Sequence, residues 1–164
     1  MPAIRRMERY HRPVTTRMRF ARAGERRALE ALQRRASLIW DDQRAALLAH
    51  PDAIEVPIAQ LRGRCVRLAE AGGELIGFAA IVPLRPQVLD LDALFVEPRH
   101  MRKGIGQLLI EDAARLARRR GARAIEVIAN PNALRFYQRV GFERLGLAGT
   151  RFGPGLKMRL EIRR

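Results

Sequence analysis

One segment past the middle of this 164-residue chain constrains its fold more than any other. Residues 87–96 have the short apolar pattern of a strand, and residues 105–117 repeat apolar side chains every three or four positions, as one face of an amphipathic helix does. A basic turn that contains Gly104 and Gly106 joins the two. A strand that passes through a glycine turn into a long helix predicts an α/β protein.

The other elements are predicted from the same two periods. Strands are predicted at residues 18–21, 64–70, 75–82, 124–128 and 156–162, with further extended structure after Phe142. Helices are predicted over residues 25–40, 41–49 and 131–140. We therefore predict one domain over residues 17–164, a mixed sheet flanked by helices, after a basic and flexible arm over residues 1–16.

Two places in this pattern are ambiguous. Residues 52–63 follow neither period. The alternation of residues 87–96 breaks at Ala93-Leu94-Phe95, where three apolar residues follow one another. A β-bulge explains that break, and so does a strand buried on both faces.

Charge and cysteine content exclude several classes of protein. The longest run without a charged residue, Leu75 to Leu84, is about half as long as the ~20 residues that a spanning helix needs. We expect no membrane span. Cys65 is the only cysteine, so no internal disulfide can form and we expect a reducing, cytoplasmic location. Because no His and Cys residues cluster at metal-ligand spacing, we predict no metal site.

The turn before the long helix has the chemistry of a phosphate site. Helix N-termini carry unpaired N–H groups and a partial positive charge, which bind anions. Gly104 and Gly106 let a phosphate approach the backbone without a Cβ in the way. Arg102 and Lys103 add positive charge beside them. We therefore predict that the turn holds a phosphate or a pyrophosphate.

Two common phosphate motifs do not fit this turn. A dinucleotide fingerprint needs a third small residue where this chain has Leu109, and it places its glycines directly after the strand. A nucleotide P-loop needs Gly-Lys-Ser/Thr, whereas residues 106–108 are Gly-Gln-Leu.

Three segments carry a family resemblance. They are Leu94-Phe95-Val96-Glu97-Pro98, Met101-Arg102-Lys103-Gly104-Ile105-Gly106, and residues 130–142 with Asn130, Ala133, Tyr137 and Gly141-Phe142. In order and spacing they are similar to the central strand, the pyrophosphate loop and the Asn…Ala…Tyr…Gly-Phe segment of the GCN5-related N-acetyltransferase (GNAT) superfamily. The loop departs from the family once, because Met101 stands where the family has Arg or Gln.

The resemblance implies a mostly antiparallel sheet and the transfer of an acetyl group from acetyl-CoA to a primary amine by direct attack. It implies that strand amides polarise the carbonyl, that loop amides hold the diphosphate and that Asn130 contacts the pantetheine arm. The cofactor-binding residues so implied are Leu94, Phe95, Val96, Arg102, Lys103, Gly104, Ile105, Gly106, Gln107 and Asn130.

Two residues are the candidates for proton transfer. Tyr137 matches the family's general acid, which would protonate the departing thiolate; its helical spacing with Phe136 and Val140 also fits a plain core position. Asp92 is our candidate general base, and a solvated carboxylate with bulk water as the base is the alternative. Asn130 is also explained as the cap of the helix that follows it.

The acceptor is expected to be a small-molecule amine rather than a protein. The resemblance implies that residues 38–49, with Trp40, Asp41 and Asp42, and residues 145–155 form its site. The aspartates could receive a cationic amine beside an aromatic ring, or could cap a helix. An exposed last strand could pair across a twofold axis and form a homodimer.

Two other functions fit the chain as well. The net charge of +15 fits a nucleic-acid-binding module, although only Tyr10 and Phe20 are aromatic near the arm and no nucleic-acid motif is visible, so we do not expect such a partner. The third hypothesis is a protein that binds acyl-CoA without turning it over.

Overall fold

The computed structural model of the protein describes residues 15–164, apart from the side chain of Asp42. The predicted arm over residues 1–16 therefore lies almost wholly outside the described residues and stays a prediction. Within them, no helix is long and apolar enough to cross a membrane.

The predicted strands and helices occur in the predicted order along the chain, with shifts of a few residues at their ends. The strands are β1 (Arg17–Phe20), β2 (Val66–Ala71), β3 (Glu74–Arg85), β4 (Val88–Val96), β5 (Ala124–Ala129), β6 (Glu143–Thr150) and β7 (Gly153–Glu161). The α-helices are α1 (Arg26–Ser37), α2 (Asp41–Ala49), α3 (Ile58–Arg62), α4 (Ile105–Arg119) and α5 (Leu134–Arg139). The ambiguous residues 52–63 contain α3 and the end of a single 3₁₀ turn, Pro51–Ala53.

One mixed sheet contains all seven strands, in the order β1-β2-β3-β4-β5-β7-β6. Every neighbouring pair is antiparallel except β4 and β5, which are parallel. The expectation of a mixed, mostly antiparallel sheet flanked by helices is confirmed.

The single parallel pair is short. β4 and β5 pair only from Val88–Asp90 to Ala124–Glu126, although β4 stays paired with β3 as far as Val96 and β5 stays paired with β7 as far as Ala129. The two strands therefore diverge, and a gap opens in the middle of the sheet.

A β-bulge lies where this gap begins. Ala80 of β3 faces Ala93 and Ile81 faces Leu91, which leaves Asp92 as the extra residue. The bulge, rather than burial on both faces, explains the break in alternation, because Asp92 is exposed and Ala93 to Val96 are only half-buried.

A helix packs on each face of the sheet. Leu109 and Ala113 of α4 are fully buried in one apolar cluster, with Ile81 of β3. Leu29 and Leu32 of α1 are fully buried in a second cluster, with Phe78 of β3. Because residues 78 and 81 of one strand lie on opposite faces, the two clusters sandwich the sheet. Burial of each such side chain typically stabilises the fold by about 1.5–3 kcal/mol.

The expectation that the last strand lies at a sheet edge is wrong. β7 lies between β5 and β6 and is paired on both sides, so it has no free backbone edge for a second copy. The chain passes β5 and places β6 at the edge, and β7 returns to fill the space between them. This change of order leaves the period-2 pattern of both strands unaltered, which is why the sequence does not reveal it.

A buried carboxylate holds the paired ends of the central strands together. Glu126 of β5 is 3% exposed and forms ion pairs with Arg85 at the end of β3 and with Arg159 and Lys157 of β7. The hydrogen bonds from Arg85 and then Arg159 outweigh the opposing effect of burial and lower the pKa of Glu126 to about 2. The charged form of Glu126 therefore stabilises the folded state.

We expect Glu126 to contribute stability that is lost in acid. Because its folded pKa lies below its ordinary value of 4.5, this contribution is complete above about pH 5 and disappears as the pH falls towards 2. We expect this contribution to be about 2 kcal/mol. The value is smaller than the full difference in pKa would give, because water screens the charges of the partly solvated Arg85 and Lys157. In urea unfolding at pH 7 and pH 3, Glu126→Gln should lose much of this pH dependence.

Glu143→Gln is the matched control for this experiment, because Glu143 lies on the edge strand β6 and is exposed. It should keep the pH dependence of the unmodified chain. An equal loss of pH dependence in both variants would contradict the role assigned to Glu126.

Candidate active site

The gap between β4 and β5 opens into a cleft of about 900 Å³. The diverging strand ends, the N-terminus of α4 and α5 form one part of its wall, and α1 and α2 form the other. The candidate residues that line it are Asp92, Leu94, Phe95, Val96, Arg102, Gly104, Ile105, Gly106, Gln107, Asn130 and Tyr137. Lys103 is exposed and does not line it.

The N-terminus of α4 presents a row of unpaired amides to this cleft. Among the described residues, the backbone N–H groups of Arg102, Lys103, Gly104, Ile105, Gly106 and Gln107 donate no well-formed hydrogen bond. The first backbone bond of the helix runs from Leu108 N to Gly104 O, at 3.1 Å. Unpaired N–H groups at the positive end of a helix dipole favour an anion.

Two residues of the turn have a left-handed backbone conformation. Gly104, the residue before α4, has φ +81°, and Arg102 has φ +60°. Left-handed residues in such a turn form a concave nest of N–H groups that binds anions. Arg102 is not a glycine, so this conformation stores strain of the kind found at ligand-binding sites.

The structure requires a glycine at position 106 for a different reason from the predicted approach of a phosphate. A Cβ at this position would lie 3.1 Å from the Phe136 ring of α5, which is tighter than ordinary van der Waals contact. Gly106 therefore lets α5 pack directly against the start of α4. A Cβ at Gly104 would meet nothing within 4 Å, so only the φ angle of that residue favours glycine.

Tyr137 is both a core residue and a residue of the cleft. Its ring packs edge-on against Phe136 and Phe142, with centroids 5.2 and 5.3 Å away, and it is 8% exposed. Its hydroxyl forms no hydrogen bond with residues 15–164 and is not a fully buried polar atom, so it is accessible from the cleft that Tyr137 lines. Burial raises the pKa of Tyr137 well above its ordinary value, so the hydroxyl keeps its proton at neutral pH.

The three acidic residues of the central strand have different environments. Asp92 is exposed, lines the cleft and accepts a hydrogen bond from Gln60 Nε2 at 2.8 Å. Asp90 lies deeper and outside the cleft, where burial, and then the charges of Asp92 and Glu126, raise its pKa. Glu97 is buried and holds Arg35 of α1 through two hydrogen bonds, at 2.7 and 2.9 Å.

The Arg35–Glu97 pair is a feature that sequence reasoning missed. Arg35 lowers the pKa of Glu97, which makes Glu97 a clamp between α1 and the end of β4 rather than a base. The two residues are 62 positions apart, and no local pattern connects them. Arg99, which also precedes the turn, forms an ion pair with Glu74 at 2.7 Å.

Asn130 caps the turn that precedes α5, as predicted. Its side-chain oxygen accepts a hydrogen bond from Asn132 N at 2.9 Å, and it also lines the cleft. The two interpretations of this residue are therefore compatible.

The acceptor side differs from the expectation in its charged residues. Trp40 lines the cleft, but Asp41 does not, and Trp40 rather than Asp41 occupies the cap position of α2, without a side-chain cap bond. Gln43 of α2 and Phe152 of the β6–β7 turn line the cleft as well, and neither was singled out from the sequence. Within residues 15–164 no three His, Cys, Asp or Glu side chains are grouped as metal ligands.

The chain is similar to known acetyltransferases. N-acetyltransferase family 8 member 3 of Rattus norvegicus is 28% identical over 117 residues, which cover 65% of this chain and 51% of that protein. Streptothricin acetyltransferase of Streptomyces lavendulae is 41% identical over 81 residues, which cover 47% of this chain and 43% of that protein. The chain thus spans about half the length of these curated relatives.

A solved structure shares the fold. PaiA N-acetyltransferase from Thermoplasma acidophilum, in complex with coenzyme A, superposes with a TM-score of 0.75 over 90% of this chain and 99% of that chain, at 16% sequence identity. The model of the acetyltransferase (GNAT) family matches residues 27–142, which is well over half of the chain and includes α1 to α5. The resemblance found in the sequence is confirmed, and the chain belongs to the acetyltransferase (GNAT) family.

Proposed function

We propose that this chain is an acyltransferase that moves the acetyl group of acetyl-CoA to the nitrogen of a small-molecule primary amine by direct attack. One observation carries the proposal: the same cleft contains a row of unpaired amides at the N-terminus of α4, a tyrosine hydroxyl without a protein partner, and the diverging ends of β4 and β5. A diphosphate bound to these amides would bring a thioester chain between the two strands.

The turn before α4 fits the diphosphate of acetyl-CoA. Its six amides supply hydrogen-bond donors without a protein acceptor, and Arg102 adds a charge at the cleft wall. Because these donors are backbone groups, the Met101 departure removes one side-chain contact and leaves the anion site in place. The coenzyme A named for the Thermoplasma neighbour supports this assignment.

The splayed strand supplies donors for the reacting carbonyl. Leu94, Phe95 and Val96 lie on the part of β4 that has left β5. Backbone N–H groups there stabilise the oxygen as it gains negative charge, an effect that is typically worth about 10²–10³ in rate per donor.

Two side chains handle the protons. The amine nitrogen forms a bond to the carbonyl carbon while the carbon–sulfur bond breaks. Tyr137 gives its hydroxyl proton to the departing sulfur, and Asp92, directly or through water, takes the proton that the amine loses. The products are the N-acetylated amine and the free thiol of coenzyme A.

The lone cysteine supports a cytoplasmic location. Cys65 is a free thiol that is partly exposed, and a reducing compartment is where such thiols persist.

Thiol release tests the proposed function. The purified chain is incubated with acetyl-CoA and a panel of primary amines, and free thiol and acetylated product are measured by absorbance and mass spectrometry. We expect release of thiol that depends on the amine. No release with any amine, together with no acetyl-CoA-induced shift in melting temperature, would refute the proposal; binding without turnover would favour the non-catalytic alternative.

Replacement of Tyr137 by Phe should separate catalysis from binding. The hydroxyl has no protein partner to lose, so the melting temperature and the KM for acetyl-CoA should stay within about twofold of the unmodified values, while kcat falls by about 10²–10⁴. Steady-state kinetics and thermal unfolding measure these effects. A fall in kcat of less than about threefold would show that Tyr137 is only a core residue.

Arg102→Ala should weaken acetyl-CoA binding. Loss of one solvated charge beside a phosphate costs about 1 kcal/mol, or about a fivefold rise in Kd, and the difference should shrink in high salt. Arg118→Ala, at the opposite end of α4, is the control and should leave the Kd unchanged. Equal effects of the two substitutions in calorimetry would mean that only net charge matters.

A further inference from the structure

A side lobe of about 190 Å³ branches from the cleft beneath the β6–β7 turn. Gln43, Leu47, Ile128 and Phe152 line both the cleft and the lobe, and Thr150 and Pro154 close its far side. The lobe therefore opens towards the part of the cleft that α2 borders, away from the amide row of α4.

The lobe carries no formal charge on any described residue that lines it. Most of its polar side-chain atoms are already used. The Thr150 hydroxyl bonds to Gly153 O and accepts from Phe152 N, and the Asn130 side-chain oxygen accepts from Asn132 N. The amide of Gln43 lies at the border with the cleft, and most of the other side chains that line the lobe are apolar.

The turn that covers the lobe is fastened to the segment that directly follows α2. The Phe152 ring lies 5.9 Å from the ring of His50, centroid to centroid. Arg151 Nη2 lies 3.3 Å from Asp52 Oδ2, and its guanidinium lies 5.1 Å from the centre of the Phe152 ring. These contacts place the charged groups on the outer side of the turn and hold Phe152 over the lobe.

We propose that this lobe binds an uncharged, apolar substituent of the acceptor amine, such as an aryl or a branched alkyl group. The proposal rests on the proposed function and names the class of acceptor. An apolar cavity of about 150 Å³ is large enough for a benzene ring, so a lobe of about 190 Å³ accommodates a phenyl or isobutyl group.

Charge decides between this class and a polyamine. An ammonium group in the lobe would lose water without gaining a carboxylate partner there, which is costly. The acceptor thus carries its reacting nitrogen in the cleft, within reach of Asp92, and an uncharged group in the lobe. The name of the Streptomyces relative points to another acceptor, streptothricin, and the match to that relative covers only 47% of this chain.

Matched amines test the proposal directly. The values of kcat/KM are compared for 2-phenylethylamine and 3-methylbutylamine, which carry an apolar group, and for ethanolamine and 1,4-diaminobutane, which carry a polar or charged one. We expect at least a tenfold preference for the apolar pair, of the order that a shaped apolar pocket typically provides. The unreactive 2-phenylethanol should compete with the amine and not with acetyl-CoA.

Variants of one residue locate the preference in the lobe. Ile128 is 52% exposed, so Ile128→Asp should leave the fold unchanged while it removes most of the tenfold preference. Ile128→Leu should retain the preference. Leu84→Ala, on β3 outside the cleft and the lobe with a similarly exposed side chain, is the control and should behave as the unmodified chain.

Each of the other possible results of these experiments would refute one part of the proposal. Efficient acetylation of 1,4-diaminobutane over the apolar amines would refute the acceptor class and leave the acetyltransferase function intact. An apolar preference that survives Ile128→Asp would refute the lobe as its origin. Absence of both acetyl-CoA binding and turnover would refute the proposed function, and the inference with it.

Discussion

The early end of the β4–β5 ladder is the constraint on which the rest of the structure depends. Parallel strands that stayed paired would fill the centre of the sheet, and no cleft would exist. Beyond Asp90 and Glu126 the strands part, and the bulge at Asp92 re-aims the free part of β4. Below that point the ion pairs of Glu126 hold the paired ends together. Backbone groups that lose a strand partner must form hydrogen bonds with water or a ligand. The unpaired part of β4 and β5 is therefore a surface suited to binding.

The two ends of the cleft offer opposite chemistry. The α4 end offers backbone donors and the charge of Arg102, whereas the α2 end offers Leu47, Ile128 and Phe152. The Arg35–Glu97 pair joins the two walls of the cleft, because Arg35 belongs to α1 and Glu97 directly follows β4. A molecule with a phosphate at one end and an apolar amine partner at the other matches this polarity.

Local patterns carried most of the fold and part of the site. The helix predicted at residues 105–117 is α4, Ile105–Arg119. Asn130 caps the turn before α5, as predicted. Both features depend on residues that are close in sequence. The splay of β4 from β5, the position of β7 between β5 and β6, and the Arg35–Glu97 pair depend on contacts between distant segments. The pattern of apolar and polar residues along the chain does not reveal such contacts. The lobe escaped prediction for the same reason, since Gln43 and Phe152 meet only after α2 and the β6–β7 turn have folded together.

The contact between Gly106 and Phe136 has a mechanical consequence. The first turn of α4 lies directly against the Phe136 ring of the helix that carries Tyr137, and Phe136 and Tyr137 are themselves in ring contact. The turn that we propose for the diphosphate and the tyrosine that we propose as the proton donor are thus linked through one aromatic ring. A displacement of this turn by a ligand would therefore press on the Phe136 ring and, through it, on Tyr137.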